Sequence, residues 1–552
     1  MIRARWWAEA TGVALLALLP YFYPLLLPDS VALYHDSLPL RTLIIGVLVD
    51  IATLTVLCTL VLAFTSRLPE RFRLIIGAIA VAGVLCRAEA VITIFLSGSQ
   101  ETSDVQRGAI GVRLIHLAQS AMSVQHSVAA GLALAFVLVG IVKPQLIRAL
   151  MRVTRIGLAG FAFSMVWIAP ELVYMAAGPA DPPLRAGQAR EIPVEANHTP
   201  QRRLVWILFD ELSYRLVFER QPAGQEFSNF ERLRERSYSF SDVKPVGFYT
   251  DRIIPSLFVG TEIDKIRSSV TGDLEYLGPR ERRWKEFDPD SSLFGLAQRD
   301  RWNPGVAGWS NPYCRILRPV LNECFWQPAD AIPLEDIGAS SNHSATQNAL
   351  ALPRYALTRL LAKENSDSPQ LEHLIQGYIA LMGSARTLIR DPHTHFVFVH
   401  LPVPHPPGIY DRRGHRLRPG GNYLDNLTLA DDTLAQLMQE IQASADADDT
   451  TVIVSSDHSW RVPLWDSTPD WTKEEEEISR DTFDPRPVFL VHFPGQSKGG
   501  EVRAQVPELD EHEIIAAILS NQIGNESQLA ALLGREQIMA ADYEEPRPGT
   551  GQ

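Results

Sequence analysis

Leu204-Val205-Trp206-Ile207-Leu208-Phe209-Asp210-Glu211 is the stretch on which the fold of this chain turns. Its apolar residues run without a polar interruption, and then two carboxylates arrive together. Such a run suits a strand buried on both faces, as in a parallel sheet. In open α/β sheets, ligands sit just beyond the carboxyl ends of strands, so Asp210 and Glu211 are placed to bind something. Aspartate is also a good helix cap, and Asp210 can serve either purpose.

The pattern repeats down the chain. His395–His400 is a second apolar strand, and it runs into LPVPHPPGIY, which brings His400 and His405 to a strand end. Thr451–Val454 is a third, leading into Ser455-Ser456-Asp457-His458-Ser459-Trp460-Arg461. A fourth, Pro487–His492, ends in Phe493-Pro494-Gly495. Helical spacing fills Asn422–Ala443, a helix pair covers about Asp510–Leu533, and 346–390 carries helical patterning in two pieces. Residues 261–345 read as a loop-rich insertion. Strands alternating with helices predict an α/β domain with a mostly parallel sheet.

One loop segment stands apart: Tyr249-Thr250-Asp251-Arg252-Ile253-Ile254-Pro255-Ser256-Leu257-Phe258-Val259-Gly260. Taken alone it reads as a surface turn entering a short buried segment, with a helix expected around Leu257–Val259. Beside three strand ends bearing Asp210 and Glu211, Asp457 and His458, and His400 and His405, it gains a second reading. Carboxylates with one imidazole suit a single divalent cation such as Mn, Zn, Mg or Ca. Such an ion depresses the effective pKa of a hydroxyl held against it and polarises a phosphoryl or sulfuryl oxygen. The candidate metal set is Asp210, Glu211, Thr250, Asp457 and His458. Thr250 is the candidate nucleophile, and His400 and His405 face the substrate. A lone histidine or a lone Asp-His pair is weak; repetition at strand ends around a threonine is the signal.

With these residues in view, 203–535 resembles the sulfatase-like branch of the alkaline phosphatase superfamily. FDEL at 209–212, the Thr250…Pro255…Gly260 spacing, SSDHSW at 455–460, HLPVPHPP at 400–407 and PVFLVHFPG at 487–495 carry the resemblance. An apolar helical half before such a domain is similar to the phosphoethanolamine transferases of lipid A and the lipoteichoic acid synthases. Sulfatases of this branch carry Cys or Ser at the nucleophile, converted to formylglycine. Here the position is Thr250, followed by Asp251 and, four residues on, Ile254. Formylglycine is not made from threonine by that route, so the resemblance implies a phosphotransferase with a threonine nucleophile and one metal ion. The first acidic ligand is Asp210 by analogy with sulfatases and Glu211 by analogy with the membrane transferases. Asp210 stands at the immediate end of the strand and is favoured.

The first third of the chain differs in kind. Of 552 residues, with a mean hydropathy of -0.01, those before about 180 are largely apolar. Five runs are expected to be transmembrane: Trp6–Leu27, Arg41–Phe64, Leu74–Leu96, Ser127–Val142 and Ile156–Gly178. Spanning takes about 20 apolar residues, which the fourth run reaches only if extended upstream. A cleaved signal peptide accounts for the first run alone. Arg3 and Arg5, then Arg67, Arg71 and Arg73, then Lys143, Arg148, Arg152 and Arg155 mark one side as cytoplasmic. The expectation is a bundle of about five helices over 1–178, a linker at 179–201, an extracytoplasmic catalytic domain at 202–540 and a tail at 541–552. The N-terminus lies in the cytoplasm, and in a bacterium with two membranes the domain lies in the periplasm. Asp50, Arg87, Glu89 and Glu171 fall inside the runs, where ionisable groups usually face a bundle interior or a wet cavity.

A formal net charge of -13 argues against a nucleic-acid partner bound through a basic face. Cys58 and Cys86 sit in apolar runs. Cys314 and Cys324 lack zinc-site spacing, and outside the cytoplasm they suit a disulfide; two unpaired buried thiols are the alternative. Functionally, the expectation is transfer of a headgroup from a membrane phospholipid to an envelope glycan or lipid. A plain phosphate- or sulfate-ester hydrolase, and an inactive envelope-assembly scaffold with the same fold, are the alternatives.

Overall fold

The computed structural model describes residues 2–22, 40–98, most of 135–176, 202–268, 274–328, most of 368–480, 484–534 and 538–540.

The N-terminal part is helical. Its helices are α1 (Ile2–Phe22), α2 (Leu40–Thr65), α3 (Glu70–Gly98), α4 (Pro144–Phe161) and α5 (Met165–Ala176). A 3-10 turn at Ala162–Ser164 joins α4 to α5. Among the described residues, Ile44–Thr65 and Pro144–Tyr174 are long and apolar enough to cross a membrane. The segment 144–155, read from its arginines as a connection, is instead the first part of α4. Pro144 starts that helix, where its missing N–H costs nothing. The expected fourth run, Ser127–Val142, lies largely outside the described residues. Glu9 of α1 is buried and neutralised by Arg5 at 2.9 Å and Arg155 at 2.8 Å. Arg87 donates to the Ala17 carbonyl, tying α3 to α1.

The second part is a three-layer α/β domain. Its sheet is built from β1 (Arg203–Asp210), β2 (Tyr238–Phe240), β3 (Pro304–Trp309), β4 (Glu323–Gln327), β5 (Phe396–Pro404), β6 (Thr450–Ser456), β7 (Phe489–His492), β8 (Gly500–Val502) and β9 (Ile538–Ala540). The strand order is β9-β8-β2-β7-β6-β1-β5-β3-β4. β1 lies at the centre, parallel to both β6 and β5. β7 and β9 run against their neighbours. The fourth sequence strand is therefore an antiparallel member of the sheet. Two strands, β3 and β4, come from the region read as a loop-rich insertion. PGVAGW carries two glycines and a proline, a composition that signals loop, yet its backbone pairs in register with β5 and β4.

Every residue of β1 is buried, and the period of two sorts them. Leu204, Trp206 and Leu208 face one layer, with α6 (Thr250–Val259) and α9 (Asp510–Leu519). Val205, Ile207 and Phe209 face the other, with α7 (Ser368–Arg390) and α8 (Tyr423–Ala443). Trp206 is paid for on its polar edge by a bond from Nε1 to Ser455 Oγ at 2.8 Å. Cys314 and Cys324 form a disulfide, which ties the turn after β3 to β4.

Candidate active site

The same alternation places the chemistry. Asp210 follows Leu208 on the α6 face. Asp457 follows Ile453 and Ser455 on β6, and His400 follows Phe396 and Phe398 on β5, all on that face. α6 brings Thr250 to them. The helix starts at Thr250 and not near Leu257; Tyr249 is its N-cap, with extended backbone and no side-chain capping bond. No capping side chain marks the helix start there, and Pro255 in its interior reads as a break. Gly260 ends the helix at φ 65. His512 packs so closely there that a β-carbon on Gly260 would lie 2.6 Å from its ring. His512 Nδ1 donates to the Leu257 carbonyl at 2.8 Å, satisfying an acceptor of the last turn. The Thr…Pro…Gly spacing thus marks a helix held by its far end so that its first residue meets the strand ends.

At that end, Thr250 Oγ1 lies 3.1 Å from His458 Nε2 and 3.4 Å from Asp210 Oδ2. Asp210, Asp457 and His458 are buried, and one ligand atom of each lies within 4.8 Å of the others. His458 Nδ1 sits 3.1 Å from the Ser459 carbonyl, which accepts only from an N–H. That places a proton on Nδ1 and turns Nε2 inward. Nε2 then faces Asp457 Oδ2 at 3.0 Å and Asp210 Oδ1 at 3.7 Å. Both of those oxygens are buried without a hydrogen-bond donor. Two carboxylate oxygens with no donor, converging with an imidazole nitrogen, are what a divalent cation would satisfy, so these residues fit such a group. The outer bonds are in place: Asp457 Oδ1 accepts from the backbone N–H of Glu211 at 3.2 Å and of His458 at 3.0 Å. Burial raises the pKa of Asp457, but His458, His400 and Thr250 together hold the carboxyl below its usual range.

The other predicted residues separate. Glu211, at φ 67, leaves the strand in a left-handed turn. Its carboxylate meets Arg461 and Trp465 Nε1, the latter at 3.1 Å from each oxygen. Burial raises Glu211, but Arg461, His405 and His458 together outweigh that, so its pKa is lowered. His400 is fully enclosed, with Nδ1 2.6 Å from the Tyr313 hydroxyl and Nε2 3.6 Å from Asp210 Oδ2. Its Nε2 is buried without a hydrogen-bond partner. His405 lines a cleft of about 570 Å³ together with Thr250, Asp210, Trp309, Tyr249 and Arg461. Its ring stands between Trp309 and Trp465, at 5.1 and 5.2 Å. Arg461, Trp309, Trp465 and Asn311 were not singled out by sequence. Asn311 Nδ2 reaches the Thr250 carbonyl at 3.4 Å.

No protein-family model and no curated protein matches the sequence. Among solved structures, similarity is found to the lipoteichoic acid synthase LtaP from Listeria monocytogenes, 14% identical, TM-score 0.36, covering 60% of this chain and 75% of that one. It is found also to the phosphonate monoester hydrolase of Agrobacterium radiobacter, 12% identical, TM-score 0.32, covering 58% and 74%. A protein in the alkaline phosphatase superfamily from Vibrio parahaemolyticus is 12% identical, TM-score 0.31, covering 59% and 67%. These likenesses each extend over somewhat more than half of this chain.

Proposed function

We propose that this chain is a membrane-anchored, metal-dependent phosphotransferase that carries a phosphorus-bearing headgroup on Thr250. The observation that supports it most is the placement of Thr250 Oγ1, at the first residue of a helix and within 3.4 Å of both Asp210 Oδ2 and His458 Nε2. Asp210 and Asp457, with His458, would hold one divalent cation. When bound, that ion makes the Thr250 hydroxyl more acidic and offsets charge on the oxygens of the transferred group.

The two half-reactions balance. Thr250 Oγ passes its proton to solvent in the cleft and forms a bond to phosphorus, while the bond from phosphorus to the leaving oxygen breaks. His405, at the cleft, gives that oxygen a proton. The acceptor hydroxyl then attacks phosphorus, Thr250 Oγ departs and recovers a proton from solvent, and His405 takes the acceptor's proton. The start of α6 favours negative charge near Thr250. Apolar Leu371, Leu374 and Ile409 line the same cleft, which suits a donor presented by a lipid.

The apolar N-terminal helices and the basic segments between them support a multi-pass anchor with a cytoplasmic N-terminus and a periplasmic catalytic half. The Cys314–Cys324 disulfide fits that oxidising side. An envelope glycan or lipid is the acceptor; with water in its place the same half-reactions make a hydrolase. Thr250→Ala is expected to lower kcat at least ~10³-fold while leaving metal content unchanged. A variant that turns over a model phosphodiester at the wild-type rate contradicts the proposal.

A further inference from the structure

Arg461 brings a guanidinium to the cleft beside Asp210 and Thr250; no lysine is among the described residues lining it. The side chain is nearly enclosed and framed on several sides. Its Nε and its backbone N–H both reach Glu211 Oε1, and Nη1 donates to the Phe248 carbonyl at 3.2 Å. The Phe248 ring centroid lies 5.8 Å from Cζ. Nη2 takes part in none of these bonds. Glu211 is itself fixed: Trp465 Nε1 donates to its carboxylate, the Tyr423 hydroxyl donates to its carbonyl at 2.7 Å, and its backbone sits at φ 67. A left-handed backbone is uncommon outside glycine, and it persists where surrounding structure enforces it.

We propose that Arg461 takes a charged oxygen of the group in transfer, and that Glu211 is the positioning residue that holds the guanidinium for this task and is not a metal ligand. The assignment rests on reading Thr250 as the nucleophile of a phosphoryl transfer. A planar, permanently charged fork suits a tetrahedral oxyanion. Enclosed as it is, its charge acts strongly on an oxygen that gains charge in the transition state. Glu211 presents its oxygens to Arg461 and Trp465, whereas Asp210 Oδ1 and Asp457 Oδ2 have no donor. The two neighbouring acids at the end of β1 thus divide the work, Asp210 toward the cation and Glu211 toward the guanidinium. Arg461 remains charged throughout, and no proton moves through it.

The test uses the full-length, metal-loaded protein in detergent, with inorganic phosphate as the probe in calorimetry and metal per chain measured by mass spectrometry. Removing Arg461 alone strands the Glu211 charge in the interior, so the variants are Arg461→Lys, Glu211→Gln and the double Glu211→Gln with Arg461→Gln. The double variant is expected to keep its metal and melting temperature and to bind phosphate roughly 10- to 100-fold more weakly, the loss of a charge-assisted bond. Arg461→Lys recovers part of that affinity. Glu211→Gln keeps the metal and raises both the phosphate Kd and KM, which a purely structural pair would not do. Phosphate binding by the double variant within about twofold of wild type overturns the proposal, as does failure of the wild type to bind phosphate, or loss of metal in Glu211→Gln. Thr250→Ala separates the two claims: it keeps phosphate binding if Arg461 is the anchor, and its turnover alone judges the nucleophile.

Discussion

Asp210 and Glu211 are neighbours in sequence with different surroundings, and the period of a strand explains the difference. Asp210 is the last residue of β1 on the face that packs α6, while Glu211 lies past the strand and turns away at φ 67. Alternation along LVWILFD was legible, so the side on which Asp210 falls was within reach of the sequence. The left-handed turn at Glu211 was not, because it depends on Arg461 and Trp465, which lie about 250 residues on. Arg461 itself gave no signal: an arginine three residues past an Asp-His pair is ordinary until a carboxylate is seen to hold it. His400 and His405 look equivalent in HLPVPHPP, yet one is enclosed and the other lines the cleft. At this scale the expected result is that Asp457→Asn loses most of its bound metal, measured per chain by mass spectrometry, because one of the three converging ligand atoms loses its charge. Retention of the wild-type metal content would place the cation elsewhere.

Among the elements, α6 is the one that matters most for the site. Its apolar residues Ile253, Ile254, Leu257 and Phe258 are fully buried against the sheet. Its length was misread from sequence because a proline sits mid-helix and a tyrosine stands where a capping residue would be expected. Gly260→Ala is predicted to destabilise the domain by about 1–2 kcal/mol or more, since φ 65 is strained for alanine and the added carbon meets His512. Leu257→Ala should cost about 2–5 kcal/mol by opening a cavity beneath the helix. Chemical denaturation followed by tryptophan fluorescence measures both, and a change below about 0.5 kcal/mol in either would show that α6 is not packed as described. Strands β3 and β4 escaped the sequence reading for a different reason. Glycine-rich PGVAGW has almost no side chain to pattern, and Gly308 is required because the Tyr313 ring lies against it.

For the whole molecule, buried charge sets how stability follows pH. Glu508 and Glu511 are both fully enclosed around the start of α9; burial pushes both carboxyls well above the usual range, helped at Glu508 by the charge of Glu511 and at Glu511 by that of Asp457. The folded state therefore holds protons that the unfolded chain releases once pH passes about 4.5. Stability from this pair is fully present below that pH and is lost as pH rises toward the folded pKa. Glu511→Gln should raise the melting temperature at roughly pH 8 and change it little near pH 4.5, read by differential scanning fluorimetry; an equal shift at both pH values would contradict the assignment. The division of the chain into an apolar helical part and an α/β part was plain from composition alone. Which apolar runs become helices long enough to span was less so, since 144–155 is rich in arginine yet continues into an apolar span ending at Tyr174. The whole chain is also where the central claim is tested most directly. Full-length protein incubated with membrane phospholipids is digested, and the peptide containing Thr250 is weighed by mass spectrometry. A phosphorus-bearing mass on Thr250, absent when Asp457 is replaced, is the predicted result. An unmodified Thr250 in protein that is turning over donor lipid would contradict it.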